Sequence, residues 1–221
     1  MTKVLVSGLV QLVLIGVLLF VPAGTVDYWQ AWVFLAVVAV STVIPSMYVQ
    51  RTNPAAMQRR MRGGPAAEAR AAQQLVMAGL YGSLVAMVVV SSLDHRFVWS
   101  RVPAAVCLVG DVVAAVGLGM VMLVIVQNSY ASSTVQVESG QTVVSRGLYG
   151  LVRHPMYTAN VIMMVGIPLA LGSYWGLVFV IPGLLVLAWR IRDEETLLRD
   201  ELDGYREYTR KVRYRLVPGV W

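Results

Sequence analysis

An all-α bundle of membrane-spanning helices is the fold class this sequence predicts, and three observations predict it. The chain of 221 residues is 57% hydrophobic and only 14% charged, with a mean hydropathy of +0.67. Soluble domains carry roughly 25% charged residues. The apolar residues gather into six long runs instead of alternating with polar ones. The basic residues cluster between particular runs, the pattern by which membrane proteins set their orientation.

The runs cover about Val4–Val21, Trp29–Val49, Gln74–Leu93, Val102–Val126, Met156–Leu171 and Tyr174–Trp189. A helix needs about 20 residues to cross the hydrocarbon core, and the first four qualify. The first resembles a signal peptide in having Lys3 ahead of it and "VPAG" after it. Its apolar core exceeds the usual length of such a segment, so a retained helix is expected. The last two runs are shorter and separated only by "GS", which predicts a tight hairpin. The expected architecture is four spanning helices plus this hairpin, five to six membrane helices in all. Trp29, Trp32, Trp99 and Trp175 stand near run ends, as interfacial residues do.

Charge assigns the faces. The loop after the second run holds Arg51, Arg59, Arg60, Arg62 and Arg70 against Glu68 alone, with a turn expected at "RGGP". The tail from Arg190 adds eight basic residues, whereas the loop near Asp27 has none. Both termini and the arginine loop are therefore expected on the cytoplasmic side. The net charge of +6 reports on orientation and anionic headgroups, not nucleic acid, because no recognition motif accompanies it. One cysteine, Cys107, excludes a disulfide framework and reads as a small buried hydrophobe. The two histidines are 59 positions apart, so no multi-histidine metal site is expected, and no nucleophilic triad or phosphate loop is present. His95 is expected in solvent, and Asp111 is expected to bond Gln, Ser or Tyr groups of neighbouring helices.

The chemistry-bearing residues lie in the last third. Arg153–Tyr157 reads "RHPMY" ahead of the fifth run. Pro155 suits the first turn of a helix, which makes His154 its N-cap. The free N–H groups of that turn, with Arg153 and His154 beside them, suit an anion. Upstream, Gly140, Gly147 and Gly150 allow close backbone approach, and Tyr149 and Tyr157 offer rings for an aromatic base. Downstream, Arg190 and Glu194 share a helix face, with Glu195 about 100° around, where the last run is expected to leave the membrane. Carboxylates at that depth are costly unless paired, and mark function.

Together "GQTVVSRGLYGLVRHPMYTA", the apolar hairpin and "RDEETLLRDELDGYREYTRKVRYRLVPGVW" resemble the isoprenylcysteine carboxyl methyltransferase family, especially its small bacterial members. The wider group includes the phospholipid N-methyltransferases. The resemblance covers Asn128–Trp221 and implies an integral enzyme of the bacterial inner membrane that uses S-adenosylmethionine. It divides the chain into N-terminal helices, 1–126, and a methyltransferase core, 127–221. It implies a cytoplasmic cofactor pocket made by Gln141, Val143, Val144, Gly147, Tyr149, Arg153, His154, Tyr157, Glu194 and Glu195. Arg190 and Glu194 would serve the reacting centre, and no metal is needed. The acceptor would be a lipid, a prenylated group or another lipophilic molecule coming from the bilayer.

Three positions depart from the family pattern. Gln141 stands where many members have His, Leu148 where Pro is frequent, and Ala159 where Gly is common. None removes a group the chemistry requires, but they leave the acceptor open. Two other readings compete. Sterol-reductase-type membrane enzymes carry a similar "RHPxY" corner and bind NADPH, though the double glutamate fits S-adenosylmethionine better. A transport or assembly protein would show a symmetric counterpart of the short hairpin, and none is seen.

Overall fold

The computed structural model describes residues 2–62, 71–131, 137 and 140–221, and among these every regular element is helical. The turn expected after Arg62, together with Glu68 and Arg70, lies outside them. The helices are α1 Thr2–Ala23, α2 Trp29–Thr52, α3 Pro54–Arg62, α4 Ala71–Phe97, α5 Ala104–Gln127, α6 Pro155–Ala170, α7 Val180–Glu201 and α8 Tyr205–Lys211. Five stretches are long and apolar enough to cross a membrane, in α1, α2, α4, α5 and Trp175–Glu201, and α6 is a shorter apolar helix. This is a polytopic helical membrane protein.

One element differs from expectation. The arginine-rich segment after α2 forms a helix, α3, because Asn53 and Pro54 make a start signal. The Asn53 carboxamide oxygen accepts the Ala56 N–H at 3.1 Å, and Pro54 takes the first position, where its missing N–H costs nothing. Ala56 and Met57 then pack on Val49, Val121, Ile125 and Ala159. The helix of the sixth run passes Trp189, as the shared helix face of Arg190 and Glu194 leads one to expect. It continues through Arg190, Glu194 and Glu195 to Glu201, because tertiary partners meet these charges, so they need not break the helix. Gly204, at φ 81°, turns the chain into α8.

The hairpin of α6 and α7 is anchored at the face away from the tail. Asp94 lies inside α4, 1% exposed. Its carboxylate accepts the Ser100 N–H at 2.6 Å, the Ser100 hydroxyl at 2.7 Å and the Ser173 hydroxyl at 2.5 Å. The Tyr28 hydroxyl donates to the Leu171 carbonyl at 2.6 Å. Leu171–Tyr174 is therefore tied one turn inside the end of α4. Sixteen residues of α6 span about 24 Å, less than the ~30 Å hydrocarbon core. Asp94→Ala would leave the proton of the buried Ser173 hydroxyl and the Ser100 N–H without their acceptor. It is expected to lower stability by about 1–3 kcal/mol, read as a drop in unfolding temperature in detergent.

Two polar residues are placed otherwise than the sequence predicts. His95 is half-buried, stacked on Tyr28 with ring centroids 3.8 Å apart, and its Nε2–H donates to the Asp27 carbonyl at 3.2 Å. Asp111 is buried, and among the described residues no donor meets either carboxylate oxygen. Cys107 is fully buried, as expected. The core runs from Leu19 and Ala23 of α1 through Tyr28, the N-cap of α2, and Phe34 and Val38 of α2 to Met87, Ala114, Met164 and Ile167. The most intimate packing crosses position 126, between α5 and α6.

Candidate functional site

At the tail face a polar cleft forms from three pieces of chain. The loop before α6 contributes Gln141, Val143, Val144 and Tyr149. The helix start contributes Arg153, His154 and Tyr157, and α7 contributes Glu194. Pro155 opens α6 and His154 is its N-cap, as the "RHP" order requires. Glu195, Gly147 and Arg190 do not line this cleft. Gly147 holds the loop in place instead. Its φ is 61° and a Cβ there would lie 2.7 Å from the Gln127 carboxamide, whose oxygen accepts the Leu148 N–H at 3.0 Å.

The anion expected at the helix start is the chain's own Glu195. This carboxylate is 1% exposed and lies 3.1 Å from Arg153 Nε and 3.4 Å from His154 Nε2. Its other oxygen meets Arg199 at 3.1 Å, and Arg215 through Nε at 3.1 Å and Nη2 at 3.0 Å. The N–H groups of Arg153 and His154 are also taken, by the carbonyls of Tyr214 and Arg215 at 2.9 and 3.0 Å. The tail thus straps the back of the corner, and the Thr158 hydroxyl adds a bond to the Leu216 carbonyl at 2.8 Å. Glu195 is the counter-charge behind the cleft wall, and Glu194 is the carboxylate that faces into the cleft.

Sequence reasoning missed the contribution of the tail and of α4. Leu198, Leu202, Tyr205 and Tyr208 complete the cleft. Only an amphipathic pattern after Leu198 hinted at them. The Tyr208 hydroxyl donates to the Tyr149 carbonyl at 2.7 Å, and the Asn128 amide donates to the Tyr149 hydroxyl at 3.1 Å. Burial raises the Tyr149 pKa to about 12; the Asn128 bond lowers it and the Glu194 charge raises it. Burial, with Glu195 and Glu194, likewise pushes Tyr205 up. Both therefore present neutral hydroxyls at physiological pH. The Tyr205 hydroxyl is buried in the wall and meets no partner among the described residues.

A second cavity lies deeper, between α4, α6 and α7. Its wall is apolar and rich in methionine, with Met77, Leu80 and Leu84 facing Met156, Met163 and Ile167. Arg190, 3% exposed, stands at its end. Arg190 Nε donates to the Tyr157 hydroxyl at 2.8 Å and Nη1 to the Gln73 carboxamide oxygen at 2.9 Å, while the Gln73 amide bonds Asp193. The Tyr157 hydroxyl in turn donates to Glu194 at 2.5 Å. Tyr157 and Met156 line both cavities, so they form the partition between them. Gln73 carried no signal in the sequence beyond being a polar residue near the start of an apolar run.

Residues 106–202 match the phospholipid methyltransferase family model. This is a little under half the chain, and it takes in α5 from its third residue, the loop, α6, α7 and every residue expected at the cleft. The α4 wall, α8 and the tail strap lie outside it. Over 91 residues the chain is also 30% identical to the Delta(14)-sterol reductase of Mus musculus, a segment that is 40% of this chain and 22% of that protein. The chain thus spans less than a quarter of the length of the curated relative it matches.

Proposed function

We propose that this protein is an integral-membrane methyltransferase that uses S-adenosylmethionine and modifies a lipophilic acceptor. The observation that carries this reading is the pair of cavities meeting at Tyr157. One is polar and opens at the tail face; the other is apolar and lies within the bundle. The match to the phospholipid methyltransferase family supports it, as does the resemblance to small bacterial isoprenylcysteine carboxyl methyltransferases. In this reading the tail face is cytoplasmic and the membrane is a bacterial inner membrane.

The polar cleft fits the cofactor's groups. Glu194 offers a carboxylate to a cationic ligand, and Tyr205 offers a buried hydroxyl with no partner among the described residues. Val143, Val144, Leu198 and Leu202 give apolar walls for an aromatic base and exclude water. When bound, S-adenosylmethionine supplies an electrophilic methyl carbon on a sulfonium. The chain's task is alignment: the partition at Met156 and Tyr157 sets how closely ligands in the two cavities approach. The methionines of the second cavity are adaptable and suit a flexible hydrocarbon.

Titration of the detergent-purified protein with S-adenosylmethionine, S-adenosylhomocysteine and NADPH in a calorimeter tests this. The first two are expected to bind. Glu194→Gln and His154→Ala are each expected to weaken S-adenosylmethionine by at least tenfold, about 1.4 kcal/mol. Unchanged affinity in both would remove the site assignment. The sterol-reductase similarity favours a second reading, an NADPH-dependent membrane reductase. The Arg153 and Arg215 guanidiniums are engaged by Glu195, and Glu194, the carboxylate that lines the cleft, would repel a phosphate placed beside it. Binding of NADPH alone would establish the reductase reading instead.

A further inference from the structure

The Tyr157 hydroxyl sits where the two cavities meet and is bonded to both sides. It accepts Arg190 Nε–H at 2.8 Å from the apolar cavity and donates its own proton to Glu194 of the polar cleft at 2.5 Å. A phenolic oxygen both donates and accepts. Among the described residues it accepts from Arg190 alone, which leaves the oxygen a second acceptor position. Other groups near it are either committed or lack a suitable proton site. Arg190 and Gln73 hold each other, and Gln73 bonds Asp193. His154 stacks on the Tyr157 ring at 5.5 Å and turns Nε2 to Glu195, with Nδ1 4.0 Å from Glu194. Tyr81 and Asn160 line the deeper cavity, and among the described residues neither bonds a carboxylate.

We propose that Tyr157, coupled to Glu194, takes a proton from the acceptor, so the acceptor is a protic nucleophile on an apolar body: a thiol, hydroxyl or amine. This rests on the methyltransferase reading. The acceptor's X–H bond breaks, and its electron pair stays on X to form the bond to the methyl carbon. The pair of the broken carbon–sulfur bond stays on sulfur. The released proton joins the Tyr157 oxygen as the original Tyr157 proton moves along its existing bond to Glu194, which ends as a neutral acid. A carboxylate acceptor has no proton to give and would bring a second negative charge against Glu194. Arg190 is the positioning residue: its bonds to Tyr157 and Gln73 hold the hydroxyl at the junction.

The test uses the full-length protein in detergent and 1-dodecanethiol as probe. Without S-adenosylmethionine, the infrared S–H stretching band of the bound thiol is expected to shift to lower frequency in the wild type and not in Tyr157→Phe. With radiolabelled S-adenosylmethionine, 1-dodecanethiol, 1-dodecanol and dodecylamine are compared with dodecanoic acid. At least one protic probe is expected to be methylated at least 100-fold faster than the acid. Tyr157→Phe should lower that rate about 10²–10⁴-fold. Glu194→Gln, which keeps the phenol, should retain the S–H shift. Its methylation rate should climb with pH where the wild type is flat. An unshifted band in the wild type, a preference for dodecanoic acid, or a Tyr157→Phe rate equal to wild type overturns the proton-acceptor role. Failure of the wild type to bind S-adenosylmethionine at all overturns the methyltransferase reading instead.

Discussion

Glu195→Ala is expected to destabilise the protein by about 3–5 kcal/mol, the cost of removing one member of a buried charge cluster. The carboxylate is 1% exposed and is the meeting point of Arg153, His154, Arg199 and Arg215. Its removal takes the carboxylate away from the Arg153 guanidinium, 8% exposed, and leaves the neighbouring His154, 5% exposed, only Glu194 at 4.0 Å. Arg199 contributes little of this, since its side chain is 42% exposed. Denaturant unfolding in a fixed detergent gives the loss. The same variant is expected to free the tail, because Arg215 ties it down through two bonds to Glu195. Limited trypsin digestion should then cut after Lys211 faster than in the wild type. Glu194→Gln should leave both readings near the wild type while weakening cofactor binding. Equal stability losses in the two variants would mean that the adjacent glutamates do not divide their roles.

That division was not legible in the sequence, and the reason is geometric. Spacing places Glu194 and Glu195 about 100° apart on one helix. It does not say which side faces the cleft. Their partners arrive from Arg153, His154 and Arg215, at sequence separations of 20 to more than 40 positions. The six apolar runs were legible because hydrocarbon imposes length and composition on any spanning helix. The start of α6 was legible because proline suits only a few helical positions. The helix through Arg190, Glu194 and Glu195 was legible from their spacing, but the partners that pair these charges were not, because they come from distant parts of the chain. Gln73 illustrates the limit most directly. Nothing local distinguishes it from Gln74, yet it is fully buried and grips Arg190, whereas Gln74 is exposed. Asp94 and His95 looked like loop residues for a similar reason, since Ser173 and Tyr28 reach them only in the folded bundle.

The second large effect expected is at Gly110, where α5 crosses α6. A Cβ at this position would lie 2.3 Å from the Ala170 backbone nitrogen and 2.7 Å from the Leu169 carbonyl carbon. These are main-chain atoms of a helix and cannot rotate away, so Gly110→Ala must push the helices apart. Small residues on both sides, Gly110, Ala114 and Gly117 against Ala159, Gly166 and Ala170, allow this approach in the first place. Overpacking costs typically 1–3 kcal/mol, and more where backbone is the obstacle. Gly117→Ala should cost less, because its nearest obstacle at 2.5 Å is the flexible Met163 side chain. Gly119→Ala meets nothing within 4 Å and gains helix propensity, so its unfolding temperature should not fall. The effect should reach the site as well. Because α6 carries His154 at its N-cap and Tyr157 in its first turn, a shift against α5 displaces both from Glu194 and Glu195 on α7. Gly110→Ala is therefore expected to lower both the unfolding temperature and the affinity for S-adenosylmethionine, whereas Gly119→Ala should change neither downward. A Gly110→Ala protein as stable as Gly119→Ala would show that the α5–α6 contact is looser than these distances require.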